Sequence, residues 1–129
     1  MKRSMIGALV AVLALGAVGT AFGAGTKTFN SQVKITGYNL GIFEGQVRSR
    51  FEKCEDKRGV ELWQDNTEGD DSLLGDDKTD ASGAWSVSDF GIGESFYAVA
   101  RNKTGVYKKP NGKRKHYQCP EVISGPFVR

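Results

Sequence analysis

The sequence predicts an all-β domain: an Ig-like or prealbumin-like sandwich of seven to eight strands closed by one disulfide. Three observations carry this. Beyond residue 23 no segment holds apolar residues at helical spacing for three turns, whereas short runs alternate with a period of two. Gly, Asn, Asp and Pro interrupt those runs at roughly ten-residue spacing, the rhythm of antiparallel strands and tight turns. The chain beyond residue 23 also carries two cysteines, Cys54 and Cys119, an even pair suited to one bridge.

The first 23 of the 129 residues are read as a secretory signal peptide. Lys2 and Arg3 form a basic start, Ile6 to Val18 an apolar run, and Ala21-Phe22-Gly23 a small-residue cleavage site ahead of Ala24. The run is shorter than the ~20 residues of a spanning helix, and no later segment is apolar enough to span a membrane. Cleavage leaves 16 Lys and Arg against 15 Asp and Glu, so net charge says little about partners. Export places the thiols in an oxidising compartment, where a Cys54–Cys119 disulfide is the simplest reading. It would close a loop of about 66 residues and stabilise a small core by up to ~4 kcal/mol. A metal or redox pair competes poorly, because there is no CxxC spacing and His116 is the single histidine.

Residues 24–31 are expected to be a loose N-terminal arm, and residues 32–129 the sandwich domain. Gln32 to Tyr38 alternates Val33, Ile35 and Gly37 against polar neighbours, and Gly41 to Ser49 sets Phe43, Gly45 and Val47 on one face. Val60 to Gln64 turns Val60 and Leu62 inward and leaves Trp63 on the outer face or an edge. Ser72 to Thr79 follows. Ala84 to Asp89 points Trp85 and Val87 inward, and Ser95 to Arg101 is apolar on both faces, as in a central strand. Pro110-Asn111-Gly112 joins Gly105–Lys109 to Lys113–Gln118 as a hairpin. Val122 to Val128 closes the chain.

In order, F-x-G-x-V at Phe43–Val47, Cys54, R-G-V-E-L-W at Arg58–Trp63, L-L-G at Leu73–Gly75, T-D-A-S-G-A-W-S-V at Thr79–Val87, F-Y-A-V-A at Phe96–Ala100 and Cys119 form a pattern. It resembles the prealbumin-like (transthyretin-like, carboxypeptidase regulatory-like) β-sandwich in its small secreted bacterial form, over about residues 41 to 128. The resemblance implies that fold and a non-catalytic appendage or carrier. It does not imply the enzymes of the superfold. The hydroxyisourate hydrolase branch uses several histidines and a C-terminal Tyr-Arg-Gly-Ser, and this chain ends Gly-Pro-Phe-Val-Arg. Intradiol dioxygenases bind iron through two histidines and two tyrosines, and this chain has one histidine.

Asp76 to Val87 (DDKTDASGAWSV) sets three carboxylates within five residues, which fits a calcium loop, a catalytic acid pair or a tight turn between two strands. An EF-hand register counted back from Gly83 makes Lys78 the first ligand, and one counted from Asp76 puts Ala81 where glycine is required. Asp80-Ala81-Ser82-Gly83 instead fits a tight turn. An irregular calcium site drawn from Asp65, Glu68, Asp70, Asp71, Asp76, Asp77 and Asp80 is the competing reading, and a solvated acidic loop the favoured one. A glycosidase pair needs a carboxyl of raised pKa in a cleft, which these polar loops do not suggest. No cofactor is expected.

From Arg101 to Tyr117 the charge is of one sign: Arg101, Lys103, Lys108, Lys109, Lys113, Arg114 and Lys115, interleaved with Tyr107 and Tyr117. A basic aromatic hairpin gripping an anionic envelope polymer, or another secreted protein, is the functional reading. A lysine-protected edge is the bland one. Nucleic acid is not expected for an exported domain of this balance. Asn102-Lys103-Thr104 is a glycosylation sequon only in a eukaryotic secretory route, and the leader looks bacterial. The expected protein is a secreted, non-catalytic module of the extracellular space or cell envelope. The alternative is a small-ligand or carbohydrate carrier that stacks its ligand on Trp63.

Overall fold

The structure, a computed structural model, describes residues 25–89 and 93–129. The leader, residues 1–23, lies outside the described residues. Eleven strands are described: β1 Thr26–Thr28, β2 Ser31–Asn39, β3 Ile42–Ser49, β4 Gly59–Gln64, β5 Ser72–Lys78, β6 Ala84–Ser88, β7 Ser95–Ala100, β8 Lys103–Lys108, β9 Arg114–Cys119, β10 Val122–Ile123 and β11 Phe127–Val128. A 3-10 turn, Glu52–Cys54, precedes β4. The all-β reading stands.

Strands β2-β3-β6 form one sheet and β10-β7-β4-β5 the facing one, with β11 on the same edge of β7 as β10. Between them lie Val33, Phe43, Val47, Val60, Leu62, Trp85, Val87, Phe96, Ala98 and Ala100, all buried. These are the inward positions the alternation predicts, and their burial is the main stabilising term. Gly45 is required by close packing: a Cβ there would lie 2.1 Å from the Trp85 ring and 2.3 Å from the Lys34 carbonyl. The tryptophan fills the volume its cross-strand glycine leaves.

Three local departures account for the strand count. Residues 24–31 do not form a loose arm: Thr26–Thr28 pairs in parallel with β9, and Ser31 already belongs to β2. The Val122–Val128 strand splits around Ser124-Gly125-Pro126, where Pro126 has no N–H to donate. In β2 the register slips between Ile35 and Gly37, leaving Thr36 as the extra residue of a bulge. That slip turns Tyr38 inward, its ring 4.5 Å from Phe43, which simple alternation had not indicated.

The third sheet, β1-β9-β8, carries its own small core. The Cys54–Cys119 disulfide is formed, with a Cα–Cα distance of 5.7 Å. Both cysteines pack with Tyr117, and Phe29, Phe51 and Tyr107 close around them. Phe29 and Phe51 stack at 4.1 Å, and Phe51 meets both tyrosines edge-on at 5.1 Å.

Arg58 joins the two cores. It is fully buried, and all five of its N–H donors are used. Nε donates to the Arg101 carbonyl (2.5 Å), Nη1 to the Ser31 hydroxyl and the Cys54 carbonyl (2.9 Å each), and Nη2 to the carbonyls of Pro120 (2.7 Å) and Cys119 (3.4 Å). The acceptors are neutral oxygens from four separate segments. Burial pushes its pKa down to about 10, which leaves it charged at neutral pH.

Hydrogen bonds shape the middle of Asp76 to Val87. Asp80 Oδ1 accepts from the Ser82 hydroxyl (2.7 Å) and from the amides of Ser82 (2.9 Å) and Ala84 (3.0 Å). Gly83 sits at φ +86, and a Cβ there would lie 2.2 Å from the Val47 carbonyl. The stretch is a tight turn.

Candidate functional site

The β8–β9 hairpin is built by its turn. Pro110 presets the first corner, the Gly112 amide returns to the Lys109 carbonyl (2.8 Å), and Gly112 takes φ +85. Asn111 Oδ1 accepts from the Lys113 amide (2.9 Å) and fixes the exit. The register then sets Lys108 opposite Arg114, Tyr107 opposite Lys115, and Val106 opposite His116. Directly opposed residues share a face, so Lys108, Arg114, Val106 and His116 lie together on the outer side, all exposed.

The nine residues singled out by charge and aromaticity do not act as one surface. Arg101 is bound to Glu61 (2.8 Å) and Asp76 (3.1 Å), and the hydrogen bond to Glu61 is the first cause of its raised pKa. Lys103 donates to the carbonyls of Asp56 (2.6 Å) and Lys53 (2.7 Å), and burial lowers its pKa. Tyr107 and Tyr117 point inward at the disulfide, Tyr117 only 5% exposed, so the aromatics are core rather than grip. Burial raises the Tyr117 pKa. A Cβ at Gly105 would sit 2.6 Å from the Tyr117 ring, which explains the glycine opposite it.

What remains is compact. Lys108, Lys109, Lys113, Arg114 and Lys115 crowd the hairpin tip, and none has a carboxylate partner among the described residues. Five cations within eight residues of one hairpin raise the local potential above that of the whole chain.

The acidic stretch is dispersed by comparison. Asp71 accepts from the Tyr97 hydroxyl (2.6 Å) and the Asn66 amide (3.2 Å), Asp77 from the Ser86 amide (2.9 Å), and Asp76 pairs with Arg101. Among the described residues no group of three or more His, Cys, Asp and Glu is placed to hold a metal ion. Trp63 is half-buried on the outer face of β4, its ring parallel to Tyr97 at 6.4 Å and its Nε1 donating to Glu61 (3.0 Å).

Pairing also places the charges along the long axis. β4 and β7 run side by side, with Gln64 opposite Phe96 and Val60 opposite Ala100. The acidic β4–β5 loop leaves from the first end, where the Asp65 amide bonds the Ser95 carbonyl (2.9 Å). The hairpin leaves from the second, beyond the Arg101–Gly59 hydrogen bond (2.8 Å). Strand β1 runs with β9 toward Cys119, and β2 continues to Tyr38, whose ring shares the Arg129 guanidinium with Phe96 at the far end. The cationic tip and the acidic loop therefore lie at opposite ends.

Compared with family models, with curated proteins and with solved structures, the chain finds no match. No helix among the described residues is long and apolar enough to cross a membrane.

Proposed function

We propose that the chain is an exported, non-catalytic β-sandwich module of prealbumin-like type that engages an anionic polymer of the cell envelope through its hairpin tip. The observation that carries this reading is the set of five clustered cations, Lys108, Lys109, Lys113, Arg114 and Lys115, without carboxylate partners, on a turn braced by its own small core. Lysines also protect sheet edges from aggregation, but five cations on one hairpin with no carboxylate partner among the described residues favour a polyanion. The disulfide suits an oxidising compartment and agrees with export through the leader. Nothing in this reading calls for a cofactor, and nucleic acid is not the proposed ligand.

Co-sedimentation of the purified protein with bacterial cell envelopes tests it, beside a variant with the five tip cations changed to glutamine. Binding by the parent at physiological salt and its loss in the variant supports the proposal. Equal sedimentation of both proteins, or none, returns the lysines to edge protection. The carrier reading keeps one observation in its favour, the partly exposed Trp63. A sugar-dependent shift in its fluorescence, unchanged in the glutamine variant, would favour it.

A further inference from the structure

We propose that the end of the sandwich opposite the hairpin is a docking surface for the hairpin tip of a second copy of this chain, giving salt-sensitive head-to-tail assembly. This rests on the reading of the tip as an anion-seeking surface and adds a particular partner to it. The first observation is the β2–β3 turn at the far end. Asn39 pairs with Ile42 across two residues of positive φ, Leu40 at 51° and Gly41 at 83°. That turn normally takes Asn or Gly at the first position, because a branched side chain is strained there. Here a leucine stands instead, and it is 83% exposed, with Ile42 beside it 42% exposed. Strain together with an uncovered apolar tip is what a contact surface looks like without its partner.

The second observation is the charge around it. Asp89 bonds through its amide to the Gly41 carbonyl (2.8 Å), beside that leucine. The Glu94 carbonyl accepts from the Arg129 amide (3.1 Å) at the same end, where the Arg129 guanidinium lies over the Tyr38 and Phe96 rings and the β4–β5 loop carries Glu68 and Asp70. An apolar tip with Asp89 beside it, at the end that also carries the acidic β4–β5 loop, complements a surface carrying Lys108 and Arg114 around Val106, itself 39% exposed. Because the two surfaces differ and sit at opposite ends, the contact is heterologous and propagates head to tail, in rows or in rings according to the rotation between copies.

Sedimentation velocity of the purified protein tests this, over a concentration series reaching about 1 mM. It is run at about 0.02 M and about 0.5 M salt, since screening separates the two conditions. The parent should form a ladder of species at low salt and be a monomer at high salt. Leu40→Asn removes the apolar contact while relieving the turn, so it should melt no lower than the parent yet associate about tenfold more weakly. The five-glutamine tip variant should be monomeric throughout. Mixing the two variants should give a 1:1 pair as the main species, since the tip of the Leu40→Asn chain meets the intact far end of the glutamine variant, which cannot extend the row. A monomeric parent at low salt overturns the inference, as does a ladder that both variants retain. Envelope binding separates the two claims: Leu40→Asn should keep it, and a parent that binds envelopes yet stays monomeric at low salt defeats this inference alone.

Discussion

Replacing Arg58 by methionine tests whether a buried cation without an anionic partner holds this fold together. Methionine keeps most of the stem volume and removes every donor. Four oxygens now bonded within 3 Å lose their partner: those of Arg101, Ser31, Cys54 and Pro120. At about 1 to 3 kcal/mol for each buried group left unsatisfied, the gross loss is ~4 to 12 kcal/mol. Removing the charge returns several kcal/mol of desolvation. The net expectation is a loss of about 3 kcal/mol, or a melting temperature lower by about 12 to 24 °C in a domain of this size. Lysine, with three donors for five acceptors, should fall between the two. Urea denaturation under non-reducing conditions measures this directly. A methionine variant within about 1 kcal/mol of the parent would refute the reasoning, since it would mean that desolvation cancels the five hydrogen bonds.

Replacing Cys54 and Cys119 together by serine should cost about 2 to 4 kcal/mol in the same assay, through the lost cross-link. Gly45→Ala forces a Cβ against the Trp85 ring and the Lys34 carbonyl and should destabilise by about 2 to 4 kcal/mol, with a shift in tryptophan fluorescence. Asp80 has its pKa held below the ordinary 3.8, first by the Ser82 hydroxyl and then by the Ala84 and Ser82 amides. Its folded-state value is depressed, so its contribution is present above 3.8 and lost as pH falls through the folded value. The stability gap between the parent and Asp80→Asn should therefore narrow as pH is lowered below 3.8, followed by thermal melts.

Much of the sandwich is legible in the sequence, because its strands obey alternation. Val60 and Leu62, and Trp85 and Val87, point where a period of two puts them. The Asp80–Gly83 and Pro110–Gly112 turns carry their chemistry in the residues themselves. What alternation cannot carry is register. The bulge at Thr36 reverses Tyr38, and the parallel pairing of Thr26–Thr28 with β9 joins segments about ninety residues apart, so neither leaves a local signal. Arg58 is hidden for a related reason: its acceptors are backbone oxygens and a hydroxyl from four segments, and no residue pattern announces a carbonyl cage. Its place just ahead of the strand Gly59–Gln64 is the nearest thing to a clue. The tip cations were legible as charge, but not the division between those held by Glu61, Asp76, Lys53 and Asp56 and those left at the tip, nor the inward turn of Tyr107 and Tyr117.

The most direct test of the central claim is an amide chemical-shift map of the protein titrated with a soluble polyanion such as polyglutamate. Perturbations confined to residues 106–116 and removed by added salt are the predicted result. Perturbations centred on Trp63 and Tyr97, or spread evenly over both ends of the sandwich, would contradict it.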